Sequence, residues 1–171
     1  MVRNPTCINK IKSSRFKAGF LILSVTAFFL LLSCNQRQVY EKYKKIPDYI
    51  WNLNYKVPFE FDIKDTSALY NVYLNIRNAS IYPYSNIWIF VDKLDPKGVQ
   101  TRSRYEFVLA NPDGSWRGDE LGDIFDNHML LETRIRFLMA GTYTYTFQHS
   151  MRMDNLPAIM DIGLEIEKVK E

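Results

Sequence analysis

From Val57 onward, apolar and polar residues alternate with a period of two. Phe59, Phe61 and Ile63 alternate with Glu60, Asp62 and Lys64; Val72, Leu74 and Ile76 alternate with Tyr73, Asn75 and Arg77. Residues two apart share one face of a strand, so this spacing predicts strands with one buried and one wet face. Ile87–Val91 is apolar on both faces, which predicts a central or doubly covered strand with Trp88 in the core. Arg104–Ala110 alternates less cleanly, and Arg134–Phe137 is short and amphipathic. Thr142–Phe147 sets aromatic rings against threonines, a strand-favouring composition, and Ile162–Glu167 repeats the alternation near the end. Turn residues separate these runs, among them Asp65-Thr66-Ser67, Asn111-Pro112-Asp113-Gly114 and Asn155-Leu156-Pro157. Asp95-Pro96-Lys97-Gly98 predicts a hairpin. Asn111–Glu132, the longest gap without strand character, predicts a rim loop with one short helical turn. Seven or eight short strands separated by turns predict a single all-β antiparallel sandwich, Ig-like or jelly-roll-like, over residues 55–171.

The N-terminal pattern differs in kind. Ala18–Leu32 is fifteen uncharged, mostly apolar residues, preceded by Arg3, Lys10, Lys12, Arg15 and Lys17 and followed by Ser33 and Cys34. A basic region, a short apolar run and a small residue describe a secretory signal peptide. The run falls short of the roughly 20 residues that a spanning helix needs. Leu31-Leu32-Ser33-Cys34 resembles the lipobox of bacterial lipoproteins, in which the cysteine is acylated and becomes the first mature residue. The expected organisation is therefore a lipoprotein signal peptide over 1–33, a lipidated Cys34 with tether and lead-in over 34–54, and the sandwich. A short helix over Val39–Lys45, ended by Pro47, fits within the lead-in.

Removal of residues 1–33 changes the charge. The full chain has 22 basic and 19 acidic residues, a net +3. Five of the basic residues and none of the acids precede Cys34, so the 138 residues Cys34–Glu171 carry about −2. A nucleic-acid partner loses its electrostatic basis. Cys7 leaves with the signal and Cys34 takes the lipid, so no disulfide is expected. Packing must then supply the stability, for which 138 residues suffice.

No H-E-x-x-H, C-x-x-C or G-x-S-x-G occurs, and the pattern implies no cofactor and no catalytic residue. His128 reads as a loop residue and His149 as a strand-end residue. Asp113, Asp119 and Asp123, with Glu120 and Asp126, form an acid-rich loop whose hard oxygens suit Ca²⁺, although the spacing misses the EF-hand pattern. Trp116, in a Gly-Ser-Trp-Arg-Gly loop, together with Tyr82 and Tyr84, offers aromatic surface for a protein partner or a glycan.

Three groups of segments carry a resemblance. They are Asn75-Ile76-Arg77-Asn78 with Tyr82-Pro83-Tyr84-Ser85-Asn86, Asp113-Gly114-Ser115-Trp116 with Leu121-Gly122-Asp123-Ile124, and Gln148-His149-Ser150-Met151-Arg152 with Asp161-Ile162-Gly163-Leu164. With Val39-Tyr40-Glu41 and Cys34, they resemble the GldH family of gliding-motility lipoproteins of the Bacteroidetes. One departure is Leu156-Pro157-Ala158, where the family pattern has glycine after the proline. The resemblance implies a non-catalytic envelope lipoprotein, membrane-bound through Cys34. It also implies contacts with proteins of the gliding and type IX secretion machinery. Surface-export signals of such lipoproteins resemble acidic stretches just after the cysteine. Here Asn35 follows Cys34 and no acid appears before Glu41, which places the chain on the periplasmic face of the outer membrane.

Overall fold

A computed structural model describes residues 37–170. The expected signal peptide and both cysteines lie outside the described residues. Eleven strands make up nearly all the regular structure: β1 (Gln38–Lys45), β2 (Ile50–Asn52), β3 (Val57–Ile63), β4 (Tyr70–Ala79), β5 (Asn86–Leu94), β6 (Gln100–Val108), β7 (Asp119–Leu121), β8 (Ile124–Ile135), β9 (Gly141–His149), β10 (Asn155–Pro157) and β11 (Ile159–Lys168). A larger sheet has the order β1-β11-β4-β8-β7, a smaller one the order β3-β9-β5-β6, and β10 pairs with β2 in a short ribbon. Every pairing is antiparallel. The fold is the expected all-β sandwich. Eight strands have seven or more residues and three are three-residue additions.

The inner faces follow the period-two pattern. In β3, Val57, Phe59, Phe61 and Ile63 are buried while Pro58, Glu60 and Asp62 are exposed. They meet Leu74 and Ile76 of β4, Ile162 and Leu164 of β11, and Phe147 of β9 in one core. Glu132 of β8 links the sheets at their margin: Lys93 of β5 pairs with it, and the Tyr145 hydroxyl of β9 donates to its Oε2 at 2.9 Å. Burial and the Glu132 carboxylate together push the Tyr145 pKa up.

Several sequence expectations change. Residues 38–45 form neither tether nor helix. They are β1, an edge strand paired with β11 from Gln38↔Glu167 to Lys45↔Asp161. Ile46 and Trp51, just beyond it, are buried in the core. The folded body therefore begins near residue 38, not 55. Asn111–Glu132 contains β7 and most of β8, the longest strand, in place of a helical turn. Its signal was hidden because Asn127 fills an inward position and two register shifts against β4 break the alternation. Trp88 lies outside the core: inward-facing Ile87, Ile89 and Val91 leave Trp88 and Phe90 on the outer face, under the Arg104 and Arg102 guanidinium groups at 4.3 and 4.1 Å. The Asp95–Gly98 hairpin is present, with Gly98 N–H donating to Asp95 C=O at 3.0 Å.

The sandwich has two ends. At the near end, Lys168 N–H donates to Arg37 C=O at 2.8 Å and Val169 N–H to Leu69 C=O at 2.9 Å, while Tyr70 faces Ile135 and Ile63 faces Gly141. Arg37, residues 64–69, residues 136–140 and the C-terminal segment thus gather there. At the far end, Ser80 N–H donates to Asp123 C=O at 2.8 Å and Ala79 N–H to Ala158 C=O at 2.9 Å, joining the β4–β5, β7–β8 and β10–β11 connections.

Ala158 sits at φ 62°, the left-handed region that costs an L-residue roughly 1–2 kcal/mol. It is the position where the resembled family pattern has glycine. Ala158→Gly should raise stability by up to about 1 kcal/mol, as relief of strain outweighs the added chain entropy. An unchanged or lower urea midpoint would contradict this.

His149 is completely buried, 5.4 Å edge-on from Trp51. The Trp51 and Asp154 backbone groups face the ring without completing a hydrogen bond. Burial pushes its pKa below 6.5, against the pull of those groups and the Asp154 charge. The unfolded chain therefore takes up a proton that the native state refuses. Stability is full above about pH 6.5 and falls by about 1.4 kcal/mol per unit below it, down to the native pKa. In His149→Leu this contribution to the slope should vanish just below pH 6.5, and urea titrations at pH values on either side of 6.5 measure it.

Candidate functional site

Two surfaces concentrate the motif residues. The first is the far end. Tyr82 is 4% exposed, and its hydroxyl donates to Asn86 C=O at 3.0 Å, closing the β4–β5 turn. Burial, with a smaller contribution from Tyr84, drives its pKa far up. The Tyr82 ring lies 5.8 Å from Tyr84 and 6.3 Å from Trp116, and Trp116 is 5.4 Å from Phe125 of β8. The three predicted aromatic residues therefore do come together. They play different parts. Tyr82 is core, half-buried Trp116 is fixed by its bridge to Ala110, and Tyr84 is exposed with its hydroxyl 3.3 Å from Met153 Sδ.

The open apolar surface of this end lies beside these rings. Ile81 is 81% exposed and Leu121 60% exposed, on connections joined by the Ser80–Asp123 hydrogen bond. The alternation pattern could not mark either one, because Ile81 belongs to a turn and Leu121 ends the three-residue β7. Asn127 holds the turns in place from beneath: its Nδ2 donates to Asn78 Oδ1 at 2.8 Å and to Ile76 C=O at 3.0 Å. Gly118 passes so close to Asn127 that a Cβ there would lie 2.9 Å from the amide.

The acid-rich loop does not assemble a cation site. Asp113 Oδ1 accepts from both the N–H and the hydroxyl of Ser115, which lowers its pKa. Asp119 lies in β7 opposite Asp126, and Asp126 is engaged by Arg77. Asp123 occupies the following turn. Among the described residues, no three acids or histidines converge on a metal-sized space.

The second surface is the outer face of the larger sheet, which the sequence reading missed. Tyr43, Gly163, Asn75 and His128 stand in one row across β1, β11, β4 and β8. The Tyr43 ring lies over Gly163, where a Cβ would meet it at 2.8 Å, and reaches Asn75, whose Nδ2 donates to the Tyr43 hydroxyl at 3.0 Å. Asn75 is 1% exposed and its Oδ1 has no hydrogen-bond partner. Arg77 Nε donates to Asp126 at 2.9 Å while its guanidinium lies 4.6 Å from the Tyr43 ring centre. Next to them, His128 pairs with Glu165 at 3.0 Å and stacks on Tyr73 at 4.2 Å. Burial pushes the Glu165 pKa up, against the pull of His128. His128 is thus a mid-strand residue rather than a loop residue, and His149 lies in the other sheet. Neither histidine hydrogen-bonds a hydroxyl or thiol among the described residues.

Fold and surface together define an all-β sandwich with aromatic and ion-paired faces, and no nucleophile–base pair among the described residues. The chain belongs to the GldH lipoprotein family, whose family model matches residues 38–166. It is 28% identical over 155 residues to the gliding motility lipoprotein GldH homolog of Christiangramia forsetii, covering 86% of this chain and 94% of the relative. It is also 28% identical over 166 residues to the gliding motility lipoprotein GldH of Flavobacterium johnsoniae, covering 93% and 98%. Among solved structures, that of infectious bursal disease virus Gt strain aligns over 79% of this chain and 41% of its own, at 9% identity. Its TM-score of 0.20 carries no inference.

Half-buried Trp116 packs against Phe125 and Tyr82 and so supports the far end. Trp116→Ala should destabilise the fold by about 2–3 kcal/mol, below the range for a fully buried Trp. Ile81→Ser should stay within about 0.5 kcal/mol. Thermal denaturation of the two variants checks the contrast, and equal losses would reject it.

Proposed function

We propose that this protein is a non-catalytic cell-envelope lipoprotein, anchored through acylated Cys34, that supports gliding motility and the associated type IX secretion machinery through protein contacts. The family match over residues 38–166, with relatives named for gliding motility, carries the reading. The contact surface is the far end, where Ile81, Leu121 and Tyr84 stand exposed over a base fixed by Tyr82, Trp116 and Asn127. Tyr84 is of the type that anchors binding hot spots, and Ile81 and Leu121 add apolar surface around it. A glycan-stacking role is less well supported, because Tyr82 is buried and Trp116 packs against Phe125.

Cys34→Ala should move the protein from the membrane to the soluble fraction, and unchanged membrane partitioning would contradict the anchor. In native-envelope crosslinking, Ile81→Glu with Leu121→Glu should lose the recovered motility or secretion components while membrane partitioning is kept. Full recovery by that variant would exclude the far end as the contact surface. Protection from protease added to intact cells supports the periplasmic face, and digestion without lysis would overturn it.

A further inference from the structure

The net charge of about −2 over Cys34–Glu171 conceals a separation of charge along the sandwich. The near end presents Arg37, Lys64, Arg134, Arg136 and Lys170, all exposed. The acids of this end are fewer: among the described residues Asp62, Asp95 and Glu167 have no cationic partner, and Asp65 and Glu132 are paired with lysines. Asp65 accepts from Ser67 and pairs with Lys168 at 2.9 Å, Asp95 accepts from the N–H groups of Lys97 and Val99 in its own hairpin, and Glu132 is held by Lys93 and Tyr145. Leu138, on the β8–β9 connection of the same end, is 83% exposed. The far end carries exposed Asp48, Asp113, Asp119, Glu120, Asp123 and Asp154, against exposed Lys45, Arg117 and Arg152.

Chain length decides what faces the basic end. Arg37 is fastened to the body through the Lys168 N–H bond, and β1 pairing starts at Gln38. Cys34 is three residues from Arg37, and three residues reach at most about 11 Å even when fully extended. This argument rests on the lipid-anchor reading above. An acyl group on Cys34 would then hold the near end within one headgroup layer of the bilayer. Within a Debye length of about 10 Å, cationic side chains feel an anionic surface directly.

We infer that the near end is a membrane-contact surface, with Arg37, Lys64, Arg134, Arg136 and Lys170 meeting anionic phospholipid headgroups and Leu138 entering the interface. The body stands on this end and points its far end away from the bilayer. An exposed leucine beside several cations is the combination that interfacial binding uses.

The test uses the acylated full-length protein in vesicles. Nitroxide labels are placed at Leu138→Cys or Ile81→Cys, both exposed positions where substitution leaves the core intact. A nickel-chelating headgroup lipid then reports proximity by line broadening. In phosphatidylglycerol-rich vesicles, broadening at 138 should exceed that at 81 several-fold. Arg134→Glu with Lys170→Glu, or a change to pure phosphatidylcholine, should weaken it at 138. Equal broadening at the two sites, or broadening at 138 indifferent to lipid charge and to the double substitution, overturns the inference. Sedimentation separates the two claims. Acylated protein that stays with vesicles but shows equal broadening refutes only the orientation. Protein that partitions equally well as Cys34→Ala refutes the anchor itself.

Discussion

The pairing of β1 with β11 determines how the rest of the molecule is placed. It joins the start of the folded body to its last strand over the full length of β1, and gives the larger sheet its outer edge. Without β1, Tyr43 would not cover Asn75, and Ile46 would not enter the core through its hydrogen bond to Met160.

The two polar faces are ordered by different means. On the larger sheet, a missing side chain at Gly163 makes room for the Tyr43 ring, and the ring orders Asn75 and Arg77 beneath it. On the smaller sheet, Arg102 and Arg104 place their guanidinium groups over Phe90 and Trp88, so outward-facing aromatic rings are covered by charge. Each device keeps a polar surface rigid without a disulfide among the described residues.

Much of this was legible from spacing. β3, β4, β9 and β11 follow period-two runs because one face of each is wet, and β5 shows as an unbroken apolar run. β1 was not legible, since as an edge strand on the outside of the sandwich it carries Tyr40 and Tyr43 amid charges, a composition that also describes a linker. β8 was hidden by the inward Asn127 and its register shifts. Trp88 was misplaced because an apolar run does not reveal that arginines from a neighbouring strand will cover its outer face. For the far end, the sequence identified Tyr82, Tyr84 and Trp116 but not their division into support and surface. Ile81 and Leu121 have no periodic neighbours, and the row Tyr43–Gly163–Asn75–His128 exists only once four strands are set in register.

The direction of β1 has a mechanical meaning. It enters at the near end and runs toward the far end, so under the proposed anchoring, tension between an acylated Cys34 and a partner at the far end would act along the strand. The hydrogen bonds to β11 lie across that line. Load of this kind shears the whole β1–β11 ladder at once instead of opening it one bond at a time. In the proposed arrangement that ladder would carry the load between the anchor and whatever binds the far end.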